Sequence, residues 1–202
     1  AKYSYDFISN KHYAQRKPPI SYAYGLYKKD KLVGVCTLGK PVSHYLCVGV
    51  CGPEFSKYVY ELNRLVVNDG LEKNVLSWFV SRVLKDLKKD KIIVVSYANE
   101  AMGHKGYIYQ ASNFIYTGKT KSRTDKYMPG NKHSRHYTDE YKHLRKVRSS
   151  KHRYVYFTDK SMEKHLKYKR EEYPKGDNSR YKLGDRLKVQ IIDRKRKISW
   201  YE

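Results

Sequence analysis

The side chains best suited to chemistry lie in one short segment, residues 94–118. The segment reads in order as the end of a buried strand, a polar glycine-rich turn, a short aromatic helix and another strand. Turns at the carboxyl end of a buried strand are where open α/β sheets place their ligands. We therefore predict a binding or catalytic site at this turn, built from Ser96, Tyr97, Asn99 and His104.

Hydrophobic periodicity predicts the elements that position this turn. Their order predicts an α/β (α+β) fold, with a mixed central sheet flanked by helices and a basic C-terminal extension. We expect strands over residues 22–27, 32–38, 58–67, 91–97 and 114–117, a loop over 39–53, a long helix over about 72–89 and a short helix within 103–113. Simple alternation along the strand 58–67 places Glu61 and Arg64 on opposite faces.

This order is similar to that of the GNAT N-acetyltransferases. In that fold two central strands splay apart, an acyl-CoA sits in the gap, and its pyrophosphate lies on the turn before the long helix. The resemblance implies a cofactor site at Asn68, Gly70 and Asn74. The turn here is Asn68-Asp-Gly-Leu-Glu-Lys-Asn74, with one glycine and two acids, instead of the GNAT pattern Arg/Gln-x-x-Gly-x-Gly/Ala. The donor is therefore left unknown: an acyl-CoA-like donor and a nucleotide-linked or RNA-linked donor stay open.

The net charge points to a polyanionic partner. The chain has 202 residues and a formal charge of +23, and each phosphate that a cation neutralises releases counterions. Residues 119–202 hold 26 Lys and Arg against 11 Asp and Glu. Tyrosine is also abundant, with 22 residues against 5 Phe, and Tyr can stack on a base or reach a phosphate. This composition favours nucleic acid over a membrane or an uncharged ligand.

Three cysteines, Cys36, Cys47 and Cys51, are too few for a disulfide scaffold. We expect them to be small buried hydrophobic residues; a metal site with His44 is the alternative, but its spacing matches no common zinc pattern. The longest apolar run, around residues 92–98, is far too short to cross a bilayer, and no leader opens the chain. The sequence thus predicts a cytoplasmic protein without a metal, in the host cytoplasm if a phage encodes it.

Several separated motifs resemble the phage Mom-like DNA modification family. They are Glu61-Leu-Asn-Arg64, Val95-Ser-Tyr-Ala98, Gly103-His-x-Gly-Tyr-Ile-Tyr-Gln-Ala-x-Asn113, Tyr116-Thr-Gly118, Lys151-His-Arg-Tyr-Val-Tyr-Phe157 and Tyr173-Pro-Lys-Gly176. The resemblance runs from about residue 12 to about 181. It implies a GNAT-like transferase that converts adenine in double-stranded DNA to N6-carbamoylmethyladenine and so protects phage DNA from host restriction.

Chemistry on the exocyclic amine of adenine suggests roles for the candidates. Such an enzyme must extract the base from the duplex, stack it and polarise the electrophile. Glu61 or His104 could accept the amine proton, and Arg64 or Ser96 could stabilise charge on a carbonyl-like oxygen. The catalytic candidates are Glu61, Asn63, Arg64, Ser96, Tyr97 and His104. Amides can read adenine and tyrosines can stack on it, which makes Asn99, Tyr109, Gln110, Asn113 and Tyr116 the base-binding candidates.

Each role has a structural alternative. Glu61 and Arg64 could form ion pairs that stabilise the sheet, and Ser96 could cap the turn that follows it. Asn113 could be a helix C-cap. Either Tyr107 or Tyr109 belongs to the core on spacing alone.

We predict two domains, a GNAT-like catalytic core over residues 1–118 and a basic, Tyr-rich extension over 119–202 that contacts DNA. The extension contains a candidate basic edge strand over 151–157, a candidate helix over 162–170, and residues 189–193 as a final strand or a disordered arm. The candidates for contact with the DNA backbone are Lys119, Lys121, Arg123, Arg135, Lys151 and Arg153.

Two other functions remain open on the sequence alone. A conventional acetyl-CoA-dependent N-acetyltransferase acting on a small amine, a protein or an aminoacyl-tRNA would share the fold. A noncatalytic basic DNA-binding protein would explain the charge.

Overall fold

Two β-sheets organise the computed structural model, which describes residues 2–12, 17–130, 137–179, 185 and 188–202. The first sheet has the strand order β1-β2-β3-β4-β8-β5, and the second has the order β10-β9-β7-β6. The strands are β1 (Tyr22–Lys28), β2 (Lys31–Gly39), β3 (Val59–Val67), β4 (Ile93–Asn99), β5 (Ile115–Lys119), β6 (Arg123–Lys126), β7 (Leu144–Arg148), β8 (Lys151–Phe157), β9 (Gln190–Asp193) and β10 (Ile198–Tyr201). The helices are α1 (Lys2–Lys11), α2 (His44–Cys51), α3 (Val75–Asp86) and α4 (Tyr107–Ala111).

The first sheet is mixed and has a helical layer on each face, as predicted. The pairing of β3 with β4 is parallel, and its other pairings are antiparallel. Helix α3 buries a stripe of apolar side chains on one face, including Phe79, Val80 and Val83, against Val94 and Tyr154. This helix begins at residue 75, later than expected, and its last turn becomes a 3-10 turn over residues 87–90.

Helix α2 covers the other face of the sheet, where the sequence predicted only a loop. That prediction is wrong. Ser43 caps the helix, because its Oγ accepts a hydrogen bond from the Leu46 backbone N–H. Three turn-forming residues near the helix obscured the helical pattern in the sequence. Cys47 and Cys51 pack from α2 onto Val95 and Val155 of the sheet. The expectation that the cysteines are buried is confirmed, since Cys36, Cys47 and Cys51 are all buried thiols.

The two central strands part after four residue pairs. Parallel pairing of β3 and β4 runs from Val59–Ile93 to Leu62–Ser96, although β3 continues to residue 67 and β4 to residue 99. The Ser96 hydroxyl donates to the Leu62 carbonyl oxygen at 3.3 Å, so it ties the last pair together. The separation of the two central strands, which the resemblance to the GNAT order implies, is therefore present at the carboxyl end of β4.

Strand β8 lies inside the first sheet, so the prediction of an edge strand is wrong. It pairs with β4 along seven residues and with β5 on its other side. Side chains on both of its faces are buried, including Tyr154 and Val155. Lys151 and Arg153 near its start gave it the appearance of a basic edge strand in the sequence. The central sheet therefore takes one strand from beyond residue 118.

The second sheet consists of strands from residues 123–201 around a small core of Tyr127, Leu144 and Ile191. Strands β6 and β7 extend the β5–β8 pair outward, because only residues 120–122 and 149–150 separate them from it. Of residues 189–193, Gln190–Asp193 form strand β9 and not a disordered arm, since β9 pairs with both β7 and β10. The helix expected over 162–170 is wrong: a 3-10 turn over Lys160–His165 occupies its start.

Candidate active site

An extra residue in β3 brings Glu61 and Arg64 to the same face of the sheet. Arg64 lies opposite Thr37 of β2, while the next pair is Leu62 with Leu38, so Asn63 forms a bulge. The expected alternation, which separated Glu61 from Arg64, is therefore wrong beyond residue 62. The bulge is held by the side chain of Asn63, which accepts a bond from the Thr37 hydroxyl at 2.7 Å and donates to the Pro19 carbonyl at 2.8 Å.

Four side chains lie near one another where β3 and β4 part, and we call Glu61, Arg64, Tyr97 and Lys151 the Glu61 cluster. Glu61 interacts electrostatically with Lys151, Arg64 and Tyr97. The Lys151 ammonium lies 5.9 Å from the centre of the Tyr97 ring. Lys151 is the first residue of β8 and pairs across to β4, so three different strands supply the cluster.

Burial sets the protonation of the cluster. It raises the pKa of Glu61, against the opposing effect of Lys151 and Arg64. It lowers the pKa of Lys151, against the opposing effect of Glu61. Burial, followed by the charge of Glu61, raises the pKa of Tyr97, so its hydroxyl stays protonated and can donate a hydrogen bond. A carboxylate held at a raised pKa beside two cations is suited to accept a proton from a bound substrate.

Arg153 and Tyr168 form a second pair beside the cluster. The guanidinium carbon of Arg153 lies 3.4 Å from the Tyr168 ring centre. Its Nε and Nη2 donate to the hydroxyl and the carbonyl oxygen of Thr117, each at 2.9 Å. Tyr97 interacts with both Arg153 and Tyr168. These bonds hold the Arg153 side chain in place beside the cluster.

A basic path leads from the cluster to the second sheet. The charge of Lys151 is influenced by Arg148 of β7 and Arg123 of β6. Both arginines lie near Asp125, with the Arg148 Nε 2.5 Å and the Arg123 Nε 3.4 Å from its carboxylate oxygens. The path places positive charge beside the site on the ribbon that joins the two sheets.

The remaining strand and helix candidates lie on the opposite face of the sheet, against α3 and α4. Ser96 is fully buried there. It faces away from Tyr97, because neighbouring residues of a strand face opposite sides. Tyr109 packs on Phe114 and Tyr154, with ring centroids 5.3 Å apart in each case. The Gln110 amide donates to the Tyr154 hydroxyl at 3.2 Å and to the carbonyl oxygens of residues 105 and 174.

Tyr116 belongs to the same buried face and contacts a histidine that the sequence analysis did not single out. Its hydroxyl lies 2.9 Å from Nδ1 of His152, which is 2% exposed. Nε2 of His152 has no hydrogen-bond partner among the described residues. Burial lowers the pKa of His152, so the ring is held neutral.

The glycine-rich turn after β4 is enclosed by a later segment of the chain. Residues 173–179 cross it: the Lys105 N–H donates to Asn178 at 2.7 Å, the Ser179 N–H donates to the Gly103 carbonyl at 3.0 Å, and the Tyr107 hydroxyl donates to the Gly176 carbonyl. His104 is half-buried in this turn, and burial lowers its pKa. Two motifs that are 70 residues apart in the sequence therefore form one structural unit.

Asn99 and Asn113 have structural roles at the ends of this turn. Asn99 Oδ1 accepts bonds from the Ala101 N–H at 3.1 Å and from the Ser149 hydroxyl at 2.7 Å. Asn113 adopts a φ of 59° directly after α4, which is the left-handed position of a C-cap.

The turn before α3 does not fit a pyrophosphate. Asn68 is bonded to the Lys11 ammonium, and Glu72 forms an ion pair with Lys28 at 2.6 Å just before the helix. Asn74, at the N-cap, has a φ of 65° and no capping hydrogen bond from its side chain. Gly70 also has a positive φ, of 76°, with open space around it. The carboxylate of Glu72 would repel a diphosphate here, so no step of the chemistry below passes through an acyl-CoA.

The remaining basic candidates differ in their surroundings. Lys119 forms an ion pair with Glu100 at 2.7 Å. Lys121 is exposed and lies two residues before Arg123 of the basic path. Arg135 lies outside the described residues. In the same described part, no group of His, Cys, Asp and Glu side chains could hold a metal ion. None of the helices described is long and apolar enough to cross a membrane.

Fold and site define the class: an α/β protein with a split mixed sheet and a half-buried acid among cations at the split. A sequence profile described as the Mom protein family matches residues 1–175, so the chain belongs to the Mom family. The resemblance drawn from the separated motifs is thereby confirmed.

A curated relative is methylcarbamoylase mom of Escherichia phage Mu, which is 32% identical over 119 residues. The match covers 57% of this chain and 49% of the relative, so it spans about half of the relative's length.

Solved structures that resemble the fold are distant. An N-acetyltransferase from Staphylococcus aureus Mu50 has 13% identity and a TM-score of 0.42, covering 68% of this chain and 67% of that one. A Bacillus subtilis acetyltransferase in complex with CoA has 16% identity and a TM-score of 0.41, covering 75% and 82%. Likeness at this level carries no argument about activity.

Sequence reasoning missed Tyr168 and the role of β8. Tyr168 was grouped with a candidate helix, and its contact with Arg153 joins strand β8 to the segment that follows the 3-10 turn Lys160–His165. The alternation of Lys151, Arg153 and Val155 with buried Tyr154 was the available signal for a central strand with one polar end.

Proposed function

We propose that this protein modifies adenine in double-stranded DNA and that the product is N6-carbamoylmethyladenine. The observation that carries the proposal is the Glu61 cluster, a half-buried acid beside two cations and a tyrosine at the split of the sheet, in a chain of the Mom family. The relative from phage Mu carries the name methylcarbamoylase, which supports the transfer of a small group that contains an amide.

The reaction requires a proton acceptor and a holder for the electrophile. The N6 amine of adenine is a weak nucleophile, so its proton must leave as the new bond forms. In the proposed step the N6 nitrogen attacks the methylene carbon of the carbamoylmethyl donor, an N–C bond forms, and the bond from that carbon to the leaving group breaks. The leaving group departs with the electron pair, and the N6 proton passes to the Glu61 carboxylate.

The neighbours of Glu61 supply the remaining roles. Arg64 and Lys151 hold the carbamoyl oxygen or the departing group, since both are cations close to Glu61. The ring of Tyr97 stacks on the base after it leaves the duplex, and the ring of Tyr168, fixed against Arg153, borders the same space.

The DNA reaches this site along the basic path. Arg123 and Arg148 lie next to Lys151 and can contact the phosphates that flank the flipped base. Because these side chains are on the ribbon between the two sheets, the duplex backbone lies at the outer edge of the cluster.

The proposal is tested by analysing nucleosides from cells that express the protein. Total DNA is digested and examined by mass spectrometry for an adenine nucleoside enlarged by a carbamoylmethyl group. Glu61→Gln is expected to abolish this nucleoside, while Glu140→Gln, at an exposed acid in the second half of the chain, retains it. Unmodified adenine throughout, with folded wild-type protein present, would reject the proposal, as would full modification by E61Q.

A further inference from the structure

Four consecutive cations form the turn of the β9–β10 hairpin. Arg194, Lys195, Arg196 and Lys197 are all exposed. The hairpin lies beyond residue 175, where the match to the Mom family ends, and it forms the outer half of the second sheet. The family resemblance therefore assigns this element no role.

The backbone of this turn is held in place while its side chains are exposed, although the Arg196 Nε lies 3.9 Å from Oδ2 of Asp193. Asp193 is 3% exposed, and its Oδ1 accepts bonds from the Lys195 N–H at 2.9 Å and the Arg196 N–H at 3.0 Å. The Arg194 N–H donates to the His143 carbonyl at 2.8 Å, and Lys197 closes the turn with a φ of 55°. A flexible basic tail would lose this order, so the cations are presented at fixed positions before any partner binds.

Strand β10 exposes apolar and aromatic side chains beside these cations. Ile198 is 51%, Trp200 36% and Tyr201 66% exposed. The strand is at the edge of the second sheet. Aromatic faces next to positive charge suit bases and sugars between phosphates, because every base has a face for stacking.

We propose that the β9–β10 hairpin binds duplex DNA, with its basic turn on the phosphates and β10 against a groove. A two-stranded ribbon has a width that the major groove admits. The hairpin joins the basic path through β7, since β9 pairs with β7 and β7 ends at Arg148. Duplex bound here would extend along the second sheet toward the Glu61 cluster.

The charge of the molecule favours DNA over a second copy of the chain as the occupant. Each copy carries +23, so two copies brought together at β10 would repel each other. The partner is taken as DNA on the strength of the proposed function, but the experiment below measures binding and needs no catalysis.

The first test compares two variants that each remove three cations. R194Q/K195Q/K197Q alters the hairpin turn, and K29Q/K31Q/K88Q alters exposed lysines at the β1–β2 turn and in the 3-10 turn after α3. Affinity for a duplex oligonucleotide of about 20 base pairs is measured over a series of salt concentrations. Each lost phosphate contact lowers the salt slope by about 0.9, so the turn variant is expected to lose about two to three units of slope and the control less than about one.

Equal losses in the two variants, or no loss in the turn variant, would overturn the proposal. Both variants replace exposed side chains, and their thermal melting confirms that they are folded. Repeating the measurement with E61Q protein separates binding from chemistry. Failure to find a modified nucleoside in cells would reject the proposed function and leave this binding result standing.

The second test uses Trp200 as a reporter. The chain has two tryptophans, Trp78 and Trp200, so Trp78→Phe leaves only the one on β10. Its fluorescence is expected to be quenched on addition of the duplex, with the same affinity as in the first test. Emission that stays constant while DNA binds would overturn the placement of β10 against the duplex.

Discussion

At the scale of single residues, the proposed chemistry depends on the Glu61 carboxylate. Burial raises its pKa, and the neighbouring cations lower it. Glu61 lies half-buried on β3, and its neighbours Arg64 and Lys151 are the groups that favour its ionised form there. Because its pKa remains raised, Glu61 accepts a proton more readily than an exposed glutamate does. The position of one bulged residue, Asn63, decides that Arg64 takes part.

The raised pKa of Glu61 predicts a pH-dependent stability. The folded state favours the protonated carboxyl, so this contribution is fully present below the ordinary pKa of 4.5 and is lost as the pH rises through the raised pKa. Relative to E61Q, the wild type is therefore expected to lose stability as the pH rises from 4.5. Thermal melts of both proteins across this range provide the measurement, with E140Q as a control. A wild-type Tm that rises relative to that of E61Q with rising pH would contradict the raised pKa.

Tyr116 is expected to stabilise the fold and to have no contact with the base. Tyr116→Phe removes the partner of His152 Nδ1 and leaves a buried polar ring atom unbonded, which costs about 1–3 kcal/mol. Denaturant unfolding measures the loss, and nucleoside analysis is expected to show modification retained. Loss of modification in protein of nearly unchanged stability would instead assign Tyr116 to the site.

At the scale of elements, the glycine-rich turn shows why its glycines are needed. A Cβ on Gly106 would lie 2.5 Å and 2.8 Å from two ring carbons of Tyr154, and Gly106 has a φ of 76°. Tyr154 is fully buried and cannot move aside. The turn can therefore cross the sheet only with a glycine at this position.

Gly106→Ala is accordingly expected to destabilise the protein more than Gly70→Ala. Both glycines have the same φ of 76°, but nothing lies within 4 Å of a Cβ at Gly70. The Gly70 variant should lose about 1 kcal/mol from backbone strain alone, and the Gly106 variant about 1–3 kcal/mol more from overpacking. Urea unfolding of the two variants gives the comparison, and equal losses would show that the ring of Tyr154 adjusts freely.

At the scale of the whole molecule, two sheets with separate cores share one ribbon. The first sheet carries the Glu61 cluster, and the second presents basic strands and the β9–β10 hairpin. The net charge of +23 is thus arranged on a scaffold with a fixed geometry relative to the site. In the proposed function, this arrangement lets the extension bind a duplex while one base lies at the Glu61 cluster.

Ile191→Ala is expected to loosen the second sheet and leave the first intact. Ile191 is fully buried with Tyr127 and Leu144, and truncating such a side chain costs about 2–5 kcal/mol. Amide hydrogen exchange should accelerate in β6, β7 and β9, while β4 keeps its protection. Ile192→Ala, at the half-buried neighbour on the other face, is the control. Faster exchange in β4 as well would show that the two sheets unfold as one unit.

The sequence alone determined five strands of the first sheet, helix α3, the buried cysteines and the family. Apolar periodicity in α3 and continuous apolar runs in β4 are local signals, and their meaning does not depend on distant residues. Glu61, Arg64 and Tyr97 were identified for the same reason, because acid, base and aromatic residue types are visible without a structure. Helix α2 escaped because its capping serine is a weaker signal than the glycines and prolines around it.

Only the tertiary structure decided which candidates share a face and where β8 lies. Register and bulges depend on hydrogen bonds between strands, so a single extra residue in β3 moved Arg64 to the side of Glu61. The insertion of β8 between β4 and β5 brought Lys151 from far along the chain into the cluster, and strand alternation placed Ser96 and Tyr116 on the other side. These are long-range pairings, and no local pattern of residues specifies them.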